Sequence, residues 1–162
     1  MKKLYLFPGE AFVSKTPYVV DTVLGSCVSV AIYDTVLGFG GINHFMLPEW
    51  NGDGLPGNKY GETAISHLIQ KMLNMGSNRG NLIAKVFGGS ELNDSNGIFQ
   101  IGTRNTSIAF DILKREKIPV LSRSVGGNLS RKVIFYSDTG DVLIRMIKPV
   151  KLTQASFSKP KT

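Results

Sequence analysis

The chain has no second cysteine, so it can form no internal disulfide, and nothing in it argues for an oxidising compartment. A cytoplasmic location is the expectation. No stretch approaches the roughly 20 apolar residues that a membrane-spanning helix needs, and Pro8 and Glu10 end the apolar start, Met1 to Phe7, too early for a signal peptide. Membrane insertion is not expected. Only two histidines accompany the lone thiol, in unpaired positions that make a poor zinc set, and there is no phosphate-binding Gly-Lys-Ser/Thr. We therefore expect neither metal nor cofactor. Acidic side chains are scarce too, 12 against 19 basic ones, and the net charge of +7 steers the protein toward something acidic. The basic residues lack interleaved aromatic platforms: Lys114, Arg115 and Lys117 lie with Glu116, and Arg131-Lys132 opens a strand. Nucleic acid is not the expected partner.

What is present reads as one folded domain over residues 1–150 and a basic tail over 151–162, where apolar periodicity gives way to Ser, Thr, Pro and Lys. Val19-Val20, then Val28, Val30 and Ile32, predict a strand from Tyr18 to Tyr33 that breaks near Gly25-Ser26 and resumes through the cysteine. Phe39 to Met46 predicts a second strand, followed by a loop rich in Gly, Pro and Asn from Pro48 to Gly61. Ala64, Ile65, Leu68, Ile69, Met72 and Leu73 recur at helical spacing, which predicts a helix over 62–76. Ile108, Ala109, Ile112 and Leu113 predict another over 103–117. Strands are predicted at 81–86, 119–125, 131–136 and 142–150, the last two joined by the turn Ser137-Asp138-Thr139-Gly140. Strands outnumber helices and occur both in hairpins and around helices, so the expected fold class is α/β: a layered sandwich of mixed β-sheets packed with helices.

Two loop signatures carry little chemistry. Gly52 to Gly57 has the glycine spacing of a dinucleotide fingerprint but contains Pro56 and joins no strand to a helix. Asn51 to Glu62 has the length of a calcium loop, yet Leu55 stands where an oxygen ligand is needed. The thiol is more informative. A lone cysteine in an apolar strand is most often a small buried hydrophobe. Here Gly25 and Ser26 break the strand just before Cys27, which lets a substrate approach the backbone and frees amide N–H groups for an oxyanion. A thiol is mostly protonated at neutral pH and needs a base within reach. His67 lies on the polar side of its helix with Lys71 and Asn74, the position of a solvated histidine. His44, near the end of the next strand, follows the thiol at a separation that lets adjacent strands bring the two together.

Leu24-Gly25-Ser26-Cys27-Val28, followed by Gly40-Gly41-Ile42-Asn43-His44-Phe45-Met46-Leu47-Pro48, resembles the paired signature of the CheD family. Lys59-Tyr60, Phe87-Gly88-Gly89, Ile101-Gly102-Thr103-Arg104-Asn105, Val125-Gly126-Gly127-Asn128 and Arg131-Lys132-Val133 continue the likeness in the family's order, over nearly the whole chain. The resemblance implies a fold similar to the catalytic domain of the cytotoxic necrotising factors. It implies hydrolysis of glutamine side-chain amides on methyl-accepting chemoreceptors, with methylester hydrolysis and a complex with the phosphatase CheC in some members. Cys27 and His44 match the family's catalytic pair.

The family's third catalytic residue is commonly a threonine six positions before the cysteine, where this chain has Asp21, with Thr22 beside it. A carboxylate can orient an imidazole as well as a hydroxyl can, so Cys27, His44 and Asp21 form one candidate set and Thr22 the alternative third member. Gly25 and Ser26 are the expected oxyanion segment. Ser90 and Leu92 stand where the family usually has Ala and Met. Three other readings stay open: a non-catalytic adaptor that binds CheC or receptors, a transglutaminase and a peptidase, since Cys-His chemistry alone does not choose the acceptor.

Overall fold

The computed structural model describes residues 1–92 and 100–149; the basic tail expected at 151–162 lies outside them. Nine strands and two helices follow in the order β1 (Lys2–Tyr5), β2 (Ala11–Ser14), β3 (Tyr18–Leu24), β4 (Val28–Asp34), β5 (Phe39–Asn43), α1 (Gly61–Asn74), β6 (Leu82–Gly88), α2 (Ile101–Arg115), β7 (Val120–Val125), β8 (Ser130–Tyr136) and β9 (Val142–Ile147). They form two sheets, one in the order β1-β3-β8-β9 and the other β2-β5-β4-β6-β7, both containing parallel and antiparallel pairs. The mixed α/β layering expected from the pattern of elements is present.

The second sheet is the middle layer. Val28, Val30 and Ile32 of β4 pack with Ala64, Leu68 and Ala109 of the two helices, whereas Ala31, Ile42 and Phe87 pack with Val20, Leu24, Val133 and Phe135 of the first sheet. A strand covered on both faces reads as an apolar run rather than an alternation, which is the pattern of β4. The helices cover the other face because their apolar residues recur at helical spacing. In α1 these are Ala64, Ile65, Leu68, Ile69 and Met72, each fully buried large side chain contributing about 1.5–3 kcal/mol. Gly76, at φ +103°, ends that helix in a conformation that costs a side chain strain.

Two features were not legible in the pattern. The segment expected as one broken strand from Tyr18 to Tyr33 is two strands in different sheets: the chain leaves the outer sheet after Leu24 and enters the middle one at Val28. β1 and β2 escape a sequence reading because each is only four residues long, lies at a sheet edge and has no continuous alternation of its own. β1 pairs in parallel with β3, and β2 antiparallel with β5. The connection Gly25–Cys27 therefore crosses between the two sheets, and the thiol lies at their seam.

Candidate active site

Strand periodicity decides which residue of β3 meets the imidazole. Val20, Thr22 and Leu24 point into the space between the sheets and are fully buried, while Asp21 and Val23 point away. The Thr22 hydroxyl lies 2.7 Å from His44 Nδ1 and 2.8 Å from the carbonyl of Leu6. A carbonyl only accepts, so the single hydroxyl proton goes to Leu6, and Thr22 must accept from His44 Nδ1–H. That assignment leaves Nε2 as the ring's lone-pair nitrogen. Asp21, the first candidate for the third position, is on the opposite face of the strand, its carboxylate 3.7 Å from Lys132 Nζ. One residue along a strand reverses the face, so Asp21 cannot reach a ring held between the sheets.

His44 follows β5, where its backbone is held by residues 9 and 10: its N–H donates to the Glu10 carbonyl and its carbonyl accepts from Gly9 N–H. Val28 and Phe45 exchange two backbone hydrogen bonds, of 3.0 and 2.9 Å. That pairing sets Cys27 and His44 on the same face as diagonal neighbours, a relation with Cα atoms about 7–8 Å apart. His44 is buried, and its Nε2 has no hydrogen-bond partner among the described residues. Cys27 is half-buried, packed partly against the inter-sheet core.

The connection carrying the thiol is tied down through its carbonyls. Gly25 accepts from Ser90 N–H at 3.0 Å, Ser26 from the Asn105 side chain at 2.9 Å and Cys27 from Gly89 N–H at 2.9 Å. The N–H groups of Ser26 and Cys27 donate to no acceptor among the described residues apart from Cys27's own sulfur. Fixed carbonyls and unclaimed N–H groups beside a thiol are the preconditions of an oxyanion site. The close approach depends on Gly88, at φ +107°: a Cβ there would run into the Cys27 carbonyl.

Burial sets the charge state of the pair. It pushes the Cys27 thiol up, an effect partly offset by the residue's own N–H on the sulfur, and it pushes His44 down to about 4. At neutral pH both are therefore uncharged, and the imidazole is a free base rather than one half of a standing ion pair. The shift also has a thermodynamic consequence. Between pH 6.5, where the unfolded histidine titrates, and about 4, the unfolded chain binds more protons than the folded one. Stability should fall as pH is lowered through that window, by up to about 3 kcal/mol. Denaturant midpoints at about pH 7 and about pH 4.5, for the wild type and for His44→Gln, check this: the variant should lose less on acidification.

The remaining candidates are placed apart. His67 is exposed on α1, with Nδ1 2.8 Å from Asn58 Oδ1. The glycine-rich loop between Pro48 and Gly61 forms no dinucleotide turn; its base is closed by Met46 and Leu47 N–H on the Lys59 carbonyl. Ser90 is buried and its hydroxyl lies 2.6 Å from the Leu129 carbonyl, while Leu92 covers Gly25. Sequence reading missed Leu6, whose carbonyl fixes the Thr22 hydroxyl, and Asn105. Leu6 carries no signal, since its backbone does the work. Asn105 does carry one: a polar side chain in the apolar stripe of α2 with Gly102, Ala109 and Ile112.

Fold and site together define a class: a three-layer α/β protein whose lone thiol lies at a sheet seam, with a buried imidazole held by a hydroxyl on the same face of the neighbouring chain. The profile of one family, CheD chemotactic sensory transduction, matches residues 46–146. Among curated relatives, the probable chemoreceptor glutamine deamidase CheD of Sulfurimonas denitrificans is 39% identical over 91% of this chain and 96% of its own. That of Trichlorobacter lovleyi is 43% identical over 89% of this chain and 90% of its own. That of Thiobacillus denitrificans is 41% identical over 88% and 73%. The profile begins after Cys27 and His44, but a match covering 91% of 162 residues includes both positions wherever it starts. The chain belongs to the CheD family. No helix among the described residues is long and apolar enough to cross a membrane.

Proposed function

We propose that the chain is a cytoplasmic protein-glutamine deamidase, its catalytic domain spanning residues 1–150, that converts glutamines of methyl-accepting chemoreceptors to glutamate by thiol catalysis. CheC is a partner in this reading. One observation carries the mechanism: the lone-pair nitrogen of a buried, tautomer-fixed imidazole has no partner among the described residues, and the strand register puts that histidine on the same face as the half-buried cysteine. His44 Nε2 takes the thiol proton as Cys27 Sγ attacks the carboxamide carbon. The carbonyl oxygen becomes an oxyanion, held by the N–H groups of Ser26 and Cys27. The imidazolium then gives its proton to the departing nitrogen, which leaves as ammonia. A water, deprotonated by Nε2, attacks the thioester; the thiolate leaves, recovers the proton, and glutamate is released. Through both half-reactions Thr22 keeps the ring oriented by accepting from Nδ1–H. The net positive charge of +7 assists docking on carboxylate-rich receptor helices.

The test is intact-mass analysis of receptor cytoplasmic fragments with ammonia measured in parallel. Amide-to-acid mass gain with one ammonia per site supports the proposal; amine incorporation, chain cleavage or binding without reaction each overturns it in favour of a transglutaminase, a peptidase or an adaptor. The third position has its own test. Thr22→Val, which keeps the shape but loses the acceptor for Nδ1–H, should lower kcat by about 10²-fold, whereas Asp21→Asn should stay within about twofold. Equal losses in the two variants would remove Thr22 from the mechanism.

A further inference from the structure

Between β4 and β5 the backbone ladder makes its last exchange at Val28 and Phe45, a rung that has His44 on its inner side and Cys27 on its outer side. Beyond that rung the two chains diverge as a fork, with Ser26 on one arm and Met46 on the other. Asn105, fully buried on α2, fills the fork: its Nδ2 lies 2.9 Å from the Ser26 carbonyl and 3.0 Å from the Met46 carbonyl. Both partners are pure acceptors, so the nitrogen end of the carboxamide must face them and both of its protons are used. Its Oδ1 is buried with no partner among the described residues, so the group is held by this bridge alone.

We propose that Asn105 is a positioning residue for the thiol and the imidazole. Resting on the deamidase reading, this deepens it. Ser26 immediately precedes Cys27, and Met46 lies two residues after His44, on the other side of the Val28–Phe45 rung. One planar carboxamide with two diverging donors fixes the spacing of two carbonyl oxygens that would otherwise repel each other. It thereby holds the arm that carries the sulfur in place against the strand that carries the imidazole just inside the rung. The bridge also keeps the Ser26 carbonyl turned toward α2, and because C=O and N–H of one peptide point in opposite directions, it turns the Cys27 N–H away from α2, free for an oxyanion. The helix is held at this depth by close backbone contact: a Cβ at Gly102 would meet the carbonyls of Gly89 and Ser90.

The experiment compares wild type with Asn105→Asp, which keeps the shape but sets a carboxylate against both carbonyls, and with the smaller Asn105→Ser. Ile112→Val, equally buried on the same helix, is the stability control. On a receptor cytoplasmic fragment the Asn105 variants should lose about 10²-fold in kcat with KM within about threefold. Ile112→Val should keep kcat after comparable thermal destabilisation. In nitrogen-edited NMR spectra the Cys27 amide and the His44 ring signals should shift in the Asn105 variants and stay in place in Ile112→Val. Losses of kcat that simply track melting temperature across all three variants, or unmoved Cys27 and His44 signals, overturn the assignment. If the wild type itself deamidates nothing, the deamidase reading fails, and the NMR comparison alone then upholds or sinks the positioning role.

Discussion

Cys27→Ala leaves receptor glutamines intact, with ammonia release at the uncatalysed level and at least about 10⁴-fold below wild type. The reason is that the reaction has no second route in this chain. There is no other cysteine, so no neighbouring thiol can substitute. The unclaimed N–H groups beside Cys27 would still bind an amide oxygen, but without a nucleophile they stabilise an intermediate that does not form. The substitution removes a half-buried side chain at a sheet seam, so folding is retained and receptor binding stays within about threefold. Intact mass of the receptor fragment, thermal melting and a binding measurement on the same preparation read all three quantities. A variant that binds and still deamidates would end the thiol mechanism.

The second large effect is expected at the imidazole. In His44→Gln the side-chain amide keeps an N–H for the Thr22 hydroxyl but offers nothing that can take a proton, and deamidation should fall by about 10³–10⁴-fold. A second measurement on this variant separates two kinds of thiol enzyme. Because burial holds His44 near 4 and raises the thiol, the pair is uncharged before substrate binds, and the imidazole does not maintain a thiolate. Alkylation of Cys27 by iodoacetamide at about pH 8 should therefore change by no more than about twofold in His44→Gln, although deamidation collapses. A parallel collapse of alkylation would mean that the free enzyme holds a thiolate–imidazolium pair, and the proton transfer would then precede attack instead of accompanying it. These outcomes place the base in the sequence of events, which neither residue's identity alone can do.

The two helices and most of the strands were readable because their signal is periodic and local. Ala64 to Leu73 repeats at helical spacing whatever it packs against, and β8 alternates residue by residue because one face of it is covered. The seam was not readable. From Tyr18 to Tyr33 apolar, mostly β-branched residues predominate on both sides of the break, and such a pattern looks the same whether the chain stays in one sheet or passes from one to another. The glycine and serine at 25 and 26 announced an interruption without saying what it was for. Asp21 and Thr22 show the same limit at the scale of one residue. Either side chain can orient an imidazole, so chemistry alone leaves both open, and only the face of β3 chooses between them.

What the amino-acid order determined unaided was the inventory of reactive groups: one thiol, two histidines with one on a polar helix face, and the glycines that permit close backbone approach. Those follow from residue type and short-range spacing, which need no partner. Tertiary structure decided the proton map. Leu6 takes the Thr22 hydroxyl proton, which makes Thr22 an acceptor and leaves Nε2 bare, and burial between two sheets keeps that nitrogen uncharged. Hydrogen-bond direction and desolvation depend on groups brought from distant parts of the chain, so they exist only once the sheets have closed on each other.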